Sequence, residues 1–331
     1  MARMSGGKIW FALFVTGLSL LLAAPVLVLA QSPIRVGILV QEMERSQTQA
    51  IKGLGEELKR LGYEEKKNLF FETRNVKGNR AVLQPAAGEI LARKVNAIFT
   101  TGTSATRAVI AATKEIPIVF VHPDDPVAAG FIKSNSERPP NLTGVAAYAR
   151  ATTEKRVELI KEIVPGLRKI LVFYDGNNAF SRDSFAAAEA AAKKFSLEAV
   201  GYAIKSTDEL KTTVASLHAM PATAIFQIPD ELFESESEFL FETARAKKFP
   251  TMFNQETWAI GGALAAYGPN FIAMGRQAGG LIHKIVKGEK PETLAIERAA
   301  KFDLTLNYRT ARFLDLKFTP EMLKKADKVI R

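Results

Sequence analysis

Three observations make this chain an α/β protein built from two parallel-sheet halves. Short β-branched or aromatic runs alternate with amphipathic helical stretches from Ile34 onward. The strand-like runs carry no polar alternation, as expected where helices cover both sheet faces. The series then restarts near Thr152, so that two units of similar length stand end to end with no low-complexity linker.

In the first unit the run from Ile34 to Val40 predicts a buried strand. A helix is expected over 44–61, where Ile51, Leu54, Leu58 and Leu61 recur at three- and four-residue spacing and Gly62 ends it. Strands over 68–76, 97–101, 116–121 and 141–147 follow. They are separated by helices over 83–93, with Pro85 in the first turn, and over 104–113. The second unit opens with a helix over 152–164, stopped by Pro165-Gly166. Strands are then expected over 169–174, 197–204, 224–228 and 251–254, and helices over 180–195, 208–218 and 231–247. A strand over 262–267, a helix over 270–286, a strand over 302–306 and a helix over 308–314 complete the chain. The order implies crossings between the halves near 147–152, 267–269 and 298–303, a multi-strand hinge with a cleft beside it. The first lobe takes 31–147 plus part of 269–331, and the second takes 148–268.

Residues 1–30 read as an export signal. Arg3 and Lys8 form a positive start, an uncharged apolar run follows, and Pro25 and Ala30 stand where cleavage after Ala30 is expected. A retained transmembrane anchor is the alternative, since the uncharged run is long enough to span a bilayer. Cleavage leaves about 300 residues, the length of two ordinary domains. The chain has no cysteine, which excludes disulfides, thiol nucleophiles, thiolate metal sites and a lipidated N-terminal cysteine. Those facts favour a diffusing periplasmic protein. Net charge is +10, and loss of Arg3 and Lys8 takes it to +8. The basic residues are scattered on helix faces without interleaved aromatics, so no nucleic-acid partner is expected.

No catalytic constellation emerges. His122, His218 and His283 lack metal spacing, and there is no nucleophile elbow, Walker loop or dinucleotide fingerprint. Neither an enzyme nor a cofactor is expected. In open parallel sheets, ligands bind beyond the carboxyl ends of strands. Those positions are Gln41 and Glu42, Thr101 to Ser104, and His122 and Asp124 in the first half. Asp175, Asn177, Gln227, Asp230, Asn254 and Glu256 are their counterparts in the second. Thr101-Gly102-Thr103-Ser104 is the sharpest of these. A glycine turn, hydroxyls and free amides at a helix start suit a carboxylate, and capping by Thr103 is the plainer use of the same groups. Asp175 and Asp230 are candidates for a ligand ammonium group. Tyr148 is a candidate ligand contact, and Phe180, Phe226, Phe253, Trp258 and Tyr267 are further candidate aromatic walls.

The residues also resemble a known family, the ABC transporter substrate-binding proteins of the periplasmic type I class, in its tryptophan/tyrosine-type branch. The likeness is carried by Leu61-Gly62-Tyr63, Ala97-Ile98-Phe99-Thr100-Thr101-Gly102-Thr103, Ile116-Pro117-Ile118-Val119-Phe120 and Asn141-Leu142-Thr143-Gly144. A C-terminal series continues it: Tyr267-Gly268-Pro269, Gly275-Arg276-Gln277-Ala278, Lys287-Gly288-Glu289-Lys290-Pro291 and Lys301-Phe302-Asp303-Leu304. The family's usual Pro-Gly-Gly before Asn141 is replaced here by Glu137-Arg138-Pro139-Pro140. The resemblance implies two Rossmann-like lobes closing on a small ligand, amino-acid-like or aromatic. It also implies a membrane permease as direct partner, driven by a separate ATPase, with the binding protein itself monomeric. An exported sensor domain feeding a membrane receptor is the open alternative.

Overall fold

The computed structural model describes residues 33–134, 136–228, 233 and 236–331. The N-terminal apolar run and Asp230 lie outside the described residues. Among the described residues no helix is long and apolar enough to cross a membrane.

Two sheets organise the chain. The first contains β1 (Ile34–Val40), β2 (Leu69–Asn75), β3 (Ala97–Thr101), β4 (Ile118–His122), β5 (Leu142–Ala146) and the two-residue β11 (Glu297–Arg298). Its order is β11-β5-β4-β3-β1-β2, parallel throughout. Every residue of β3, β4 and β5 is buried, which accounts for their unbroken apolar character. The second sheet contains β6 (Lys169–Asp175), β7 (Glu198–Ile204), β8 (Thr223–Phe226), β9 (Thr251–Phe253), β10 (Ala265–Pro269), β12 (Phe302–Asn307) and β13 (Lys328–Ile330). Its order is β13-β12-β10-β9-β8-β6-β7, parallel except where β10 meets β12.

Helices α1 (Arg45–Arg60), α2 (Leu83–Ala92) and α3 (Thr103–Ala112) connect the first strands. In the second half α4 (Thr153–Ile163), α5 (Ala179–Lys194), α6 (Thr207–Ser216), α7 (Ser237–Ala246) and α8 (Glu256–Gly261) do the same. The long α9 (Phe271–Val286) returns to the first half and packs along α1. That approach is too close for side chains. A Cβ on Gly53 would lie 2.0 Å from the Ile272 carbonyl oxygen, and one on Gly275 would lie 2.0 Å from that of Ala50. Helices α10 (Tyr308–Phe313) and α11 (Pro320–Lys325) then pack in the second half, where Ala311, Phe318 and Met322 join its core.

The chain passes between the sheets at 147–152, at 269–270 and at 299–301. These connections touch one another. The Arg298 guanidinium lies 4.4 Å from the centroid of the Tyr148 ring, and Tyr148 takes a left-handed backbone with φ 52°. Asn270 Nδ2 donates to Asp303 Oδ2 at 2.5 Å, and Lys301 pairs with Asp303 at 2.9 Å.

Several elements differ from the sequence reading. The strand expected over 262–267 begins only at Ala265, because 256–261 form α8 and Gly262, with φ 145°, terminates it. Strands β11 and β13 and helix α11 have no counterpart in the reading. Of the helix expected over 231–247, Ser237–Ala246 is present, and residues 231, 232, 234 and 235 lie outside the described ones.

Candidate functional site

A cavity of about 400 Å³ opens where the strand ends of the first sheet face the start of α8 in the second half. Three strand ends of the first half supply most of its wall. Gln41 and Glu42 follow β1, with Glu44, Ser46 and Gln47 at the start of α1. Thr101 ends β3, and Gly102 to Ala105 open α3. Val121 and His122 end β4, with Pro123 beyond. Arg80 and Phe271 complete this side, and Gln255 and Trp258 face it from the second half.

The start of α3 is built to receive an acceptor. Gly102 is its N-cap with φ 79°, and it offers no side chain, so no side-chain cap occupies the first-turn amides. Thr103 is therefore the first residue of the helix rather than its cap. Its Oγ1 lies 3.1 Å from His122 Nε2. The Asp124 backbone N–H donates to His122 Nδ1 at 3.1 Å. The same Nδ1 lies 3.2 Å from the Asp124 carbonyl oxygen, so which partner donates in the Thr103–His122 hydrogen bond follows the tautomer of the ring. Behind it, Thr106 Oγ1 donates to the Gly102 carbonyl at 2.7 Å and holds the loop. Thr101 Oγ1 is buried and has no partner among the described residues.

The charges around the cavity are of both signs. Glu44 keeps exposed surface, but protein atoms crowd its carboxyl and raise its pKa, and the charge of Glu42 raises it further. Arg80 is the cation in the lining. Asp124 does not line the cavity. It is buried behind His122, where loss of water pushes its pKa up to about 6. Its Oδ1 accepts the Asp125 N–H at 2.8 Å, and Oδ2 has no partner among the described residues. Trp258 Nε1 is likewise buried without one. No group of three His, Asp or Glu side chains among the described residues is placed to hold a metal.

Of the residues read from the sequence, the structure brings Gln41, Glu42, Thr101, Gly102, Thr103, Ser104 and His122, and Trp258 of the candidate aromatic walls, to one cavity. Tyr148, Asp175, Asn177, Gln227, Asn254 and Glu256 are not in its lining. Tyr148 sits in the first connection, against Arg298. Asp175 is engaged in its own turn, accepting the Asn177 N–H at 2.8 Å, and Asn177 is exposed. Gln227 is buried and donates from Nε2 to the Ile228 carbonyl at 2.6 Å. Asn254 is also buried. Glu256 starts α8 and pairs with Arg45 across to α1 at 3.4 Å, and with Lys328. Arg80, Glu44, Ser46, Gln47 and Phe271 were not among the residues read as ligand contacts. Glu44 to Gln47 adjoin the named loop, whereas Arg80 and Phe271 reach the cavity through tertiary packing that no local motif announces.

The family of ABC transporter substrate binding proteins matches residues 35–330. This chain belongs to that family. The protein is accordingly a substrate-binding protein and not an enzyme. It is 26% identical over 268 residues to a tyrosine-binding protein of Clostridioides difficile, covering 81% of this chain and 76% of that one. The crystal structure of a conserved domain protein from Vibrio cholerae superposes with a TM-score of 0.76 at 26% identity, over 90% of this chain and all of that one. An ABC domain from Streptococcus pneumonia, solved in complex with L-Trp, shares the fold with a TM-score of 0.77 at 23% identity, over 90% and 100% of the two chains.

Proposed function

We propose that this substrate-binding protein is exported to the periplasm and captures an aromatic amino acid for an ABC importer. The observation that carries the ligand class is the pairing of complementary features in one cavity. The uncapped start of α3, with the Thr103 hydroxyl, suits a carboxylate. Glu42 and Glu44, on the same wall, suit an ammonium group. Phe271 and Trp258 offer apolar faces to a ring, and the buried Trp258 Nε1 offers a donor. The tyrosine-binding relative at 26% identity supports the same class. Asp175 is replaced as the ammonium partner because its carboxylate already serves its own turn.

Capture works by closure about the three connections, which brings Gln255 and Trp258 onto the wall that holds the polar end of the solute. The closed form then engages a permease, whose ATPase drives release. The positively flanked apolar segment at residues 8–30 supports export. Titration calorimetry of the exported protein with tyrosine, tryptophan and phenylalanine tests the reading, beside leucine and the des-amino aromatic acids. Binding is expected for the aromatic amino acids, weaker for leucine and weaker still without the ammonium group. Failure of all three aromatic amino acids to bind overturns the ligand class.

A further inference from the structure

The second half buries a full positive charge that no carboxylate among the described residues answers. Arg156 on α4 has no exposed surface. Its Nη2 donates to the carbonyl oxygens of Gln227 and, at 3.3 Å, of Met252, at the carboxyl ends of β8 and β9. The guanidinium carbon stands 4.4 Å from the centroid of the Phe226 ring. Its Nε and Nη1 have no acceptor among the described residues. Loss of water draws its pKa down to about 9, so the group still holds its proton at neutral pH.

Other orphaned groups lie along the same elements. Asn254 directly follows β9, two residues past the Met252 carbonyl that Arg156 engages. It is 2% exposed, and its amide nitrogen and oxygen are both unpartnered among the described residues. Thr153 stands one helical turn before Arg156 on α4, on the same helix face, 2% exposed and with its Oγ1 unpartnered. The donors outnumber the acceptors, and a water molecule can meet hydrogen bonds but not a net charge. A buried charge is tolerated when it is paired.

We propose that a small monovalent anion, of the size and charge of chloride, is bound by Arg156 Nε and Nη1 beneath the ends of β8 and β9, with Asn254 Nδ2 and Thr153 Oγ1 as supporting donors. A captured solute's carboxylate has the same chemistry, but none of these three residues lines the cavity, which favours a resident free anion. Gln255 and Trp258 follow directly from β9, so the anion braces the strand that carries the second wall of the cavity.

Crystals of the unmodified protein grown with sodium bromide in place of chloride, without added solute, test this directly. An anomalous bromine peak in contact with Arg156 Nε and Nη1 is expected. A site there without anomalous signal, or one filled only by the carboxylate of an added amino acid, overturns the proposal. In solution the thermal midpoint is expected to rise by a few degrees more in sodium chloride than in sodium gluconate at equal ionic strength. Arg156→Met should abolish that difference and Arg156→Lys should retain part of it. Equal midpoints in the two salts for the unmodified protein overturn the proposal, whether or not Arg156→Met folds.

Discussion

Asp124 permits a quantitative test of how the cavity wall is built. The residue is 7% exposed, and burial moves its pKa from 3.8 to about 6. A folded-state pKa above the unfolded value means that the native protein binds more protons between those limits. Stability contributed by the neutral acid is therefore present at low pH and lost as pH rises through 6. With those two values, ionisation costs the fold about 3 kcal/mol at about pH 7.5 and about 1 kcal/mol at about pH 4.5. Asp124→Asn keeps an Oδ1 acceptor for the Asp125 N–H at the same place and never ionises. Any fixed cost of the new amide is the same at both pH values and cancels in the difference. The variant should therefore gain about 2 kcal/mol on the parent between about pH 4.5 and about pH 7.5. Urea unfolding followed by circular dichroism at the two pH values measures it. Parallel stability curves for parent and variant would refute the assignment of Asp124 as a desolvated carboxyl.

The cavity supports further expectations. Thr103→Ala should weaken an aromatic amino acid roughly tenfold by calorimetry, the worth of about one hydrogen bond to a charged acceptor, and unchanged affinity would remove Thr103 from the carboxylate seat. Trp258→Ala should cost tyrosine or tryptophan about ten- to a hundredfold and leucine much less, and equal losses would remove the tryptophan as a ring contact. Because burial and the charge of Glu42 raise the Glu44 pKa, its carboxyl takes up a proton sooner than a free glutamate as pH falls, so amino-acid affinity should weaken with falling pH and Glu44→Gln should flatten the profile. The Arg45–Glu256 pair links α1 to α8 but is half exposed on the arginine side. Arg45→Gln should therefore raise the solute off-rate by at most about fivefold at low salt, an effect absent at about 0.5 M salt. A salt-independent change would point away from the ion pair.

Much of the fold was legible because burial on both faces writes itself into sequence. The apolar run at 34–40 coincides with β1, and β3, buried at every residue, has the expected limits of Ala97 and Thr101. The elements that escaped are short and owe their conformation to distant partners. β11 has two residues and pairs with β5, while β13 has three and pairs with β12. Neither is long enough to show a period. The six-residue α8 hid for the same reason, and the strand expected over 262–267 begins only at Ala265.

The site was legible on one side only, and hydrogen-bond accounting explains the difference. The rule that ligands gather beyond strand ends selects loops in both halves alike. In the first half those loops run straight into helices whose starts lack side-chain caps, at Glu44 and at Gly102, so their polar groups remain available to a solute. In the second half most of the corresponding groups already have work, and Asn254, whose side chain is unpartnered among the described residues, is buried outside the cavity lining. Asp175 holds its turn, Asn178 caps α5, Gln227 bonds the next carbonyl, and Glu256 is paired with two cations. Residue type is visible in a sequence, but whether a side chain's hydrogen bonds are already satisfied is not. Trp258 shows the converse. The sequence offers it only as one of several candidate aromatic walls, and it lines the cavity from within α8, with a buried indole N–H that the described residues leave unpartnered, a placement set by tertiary packing.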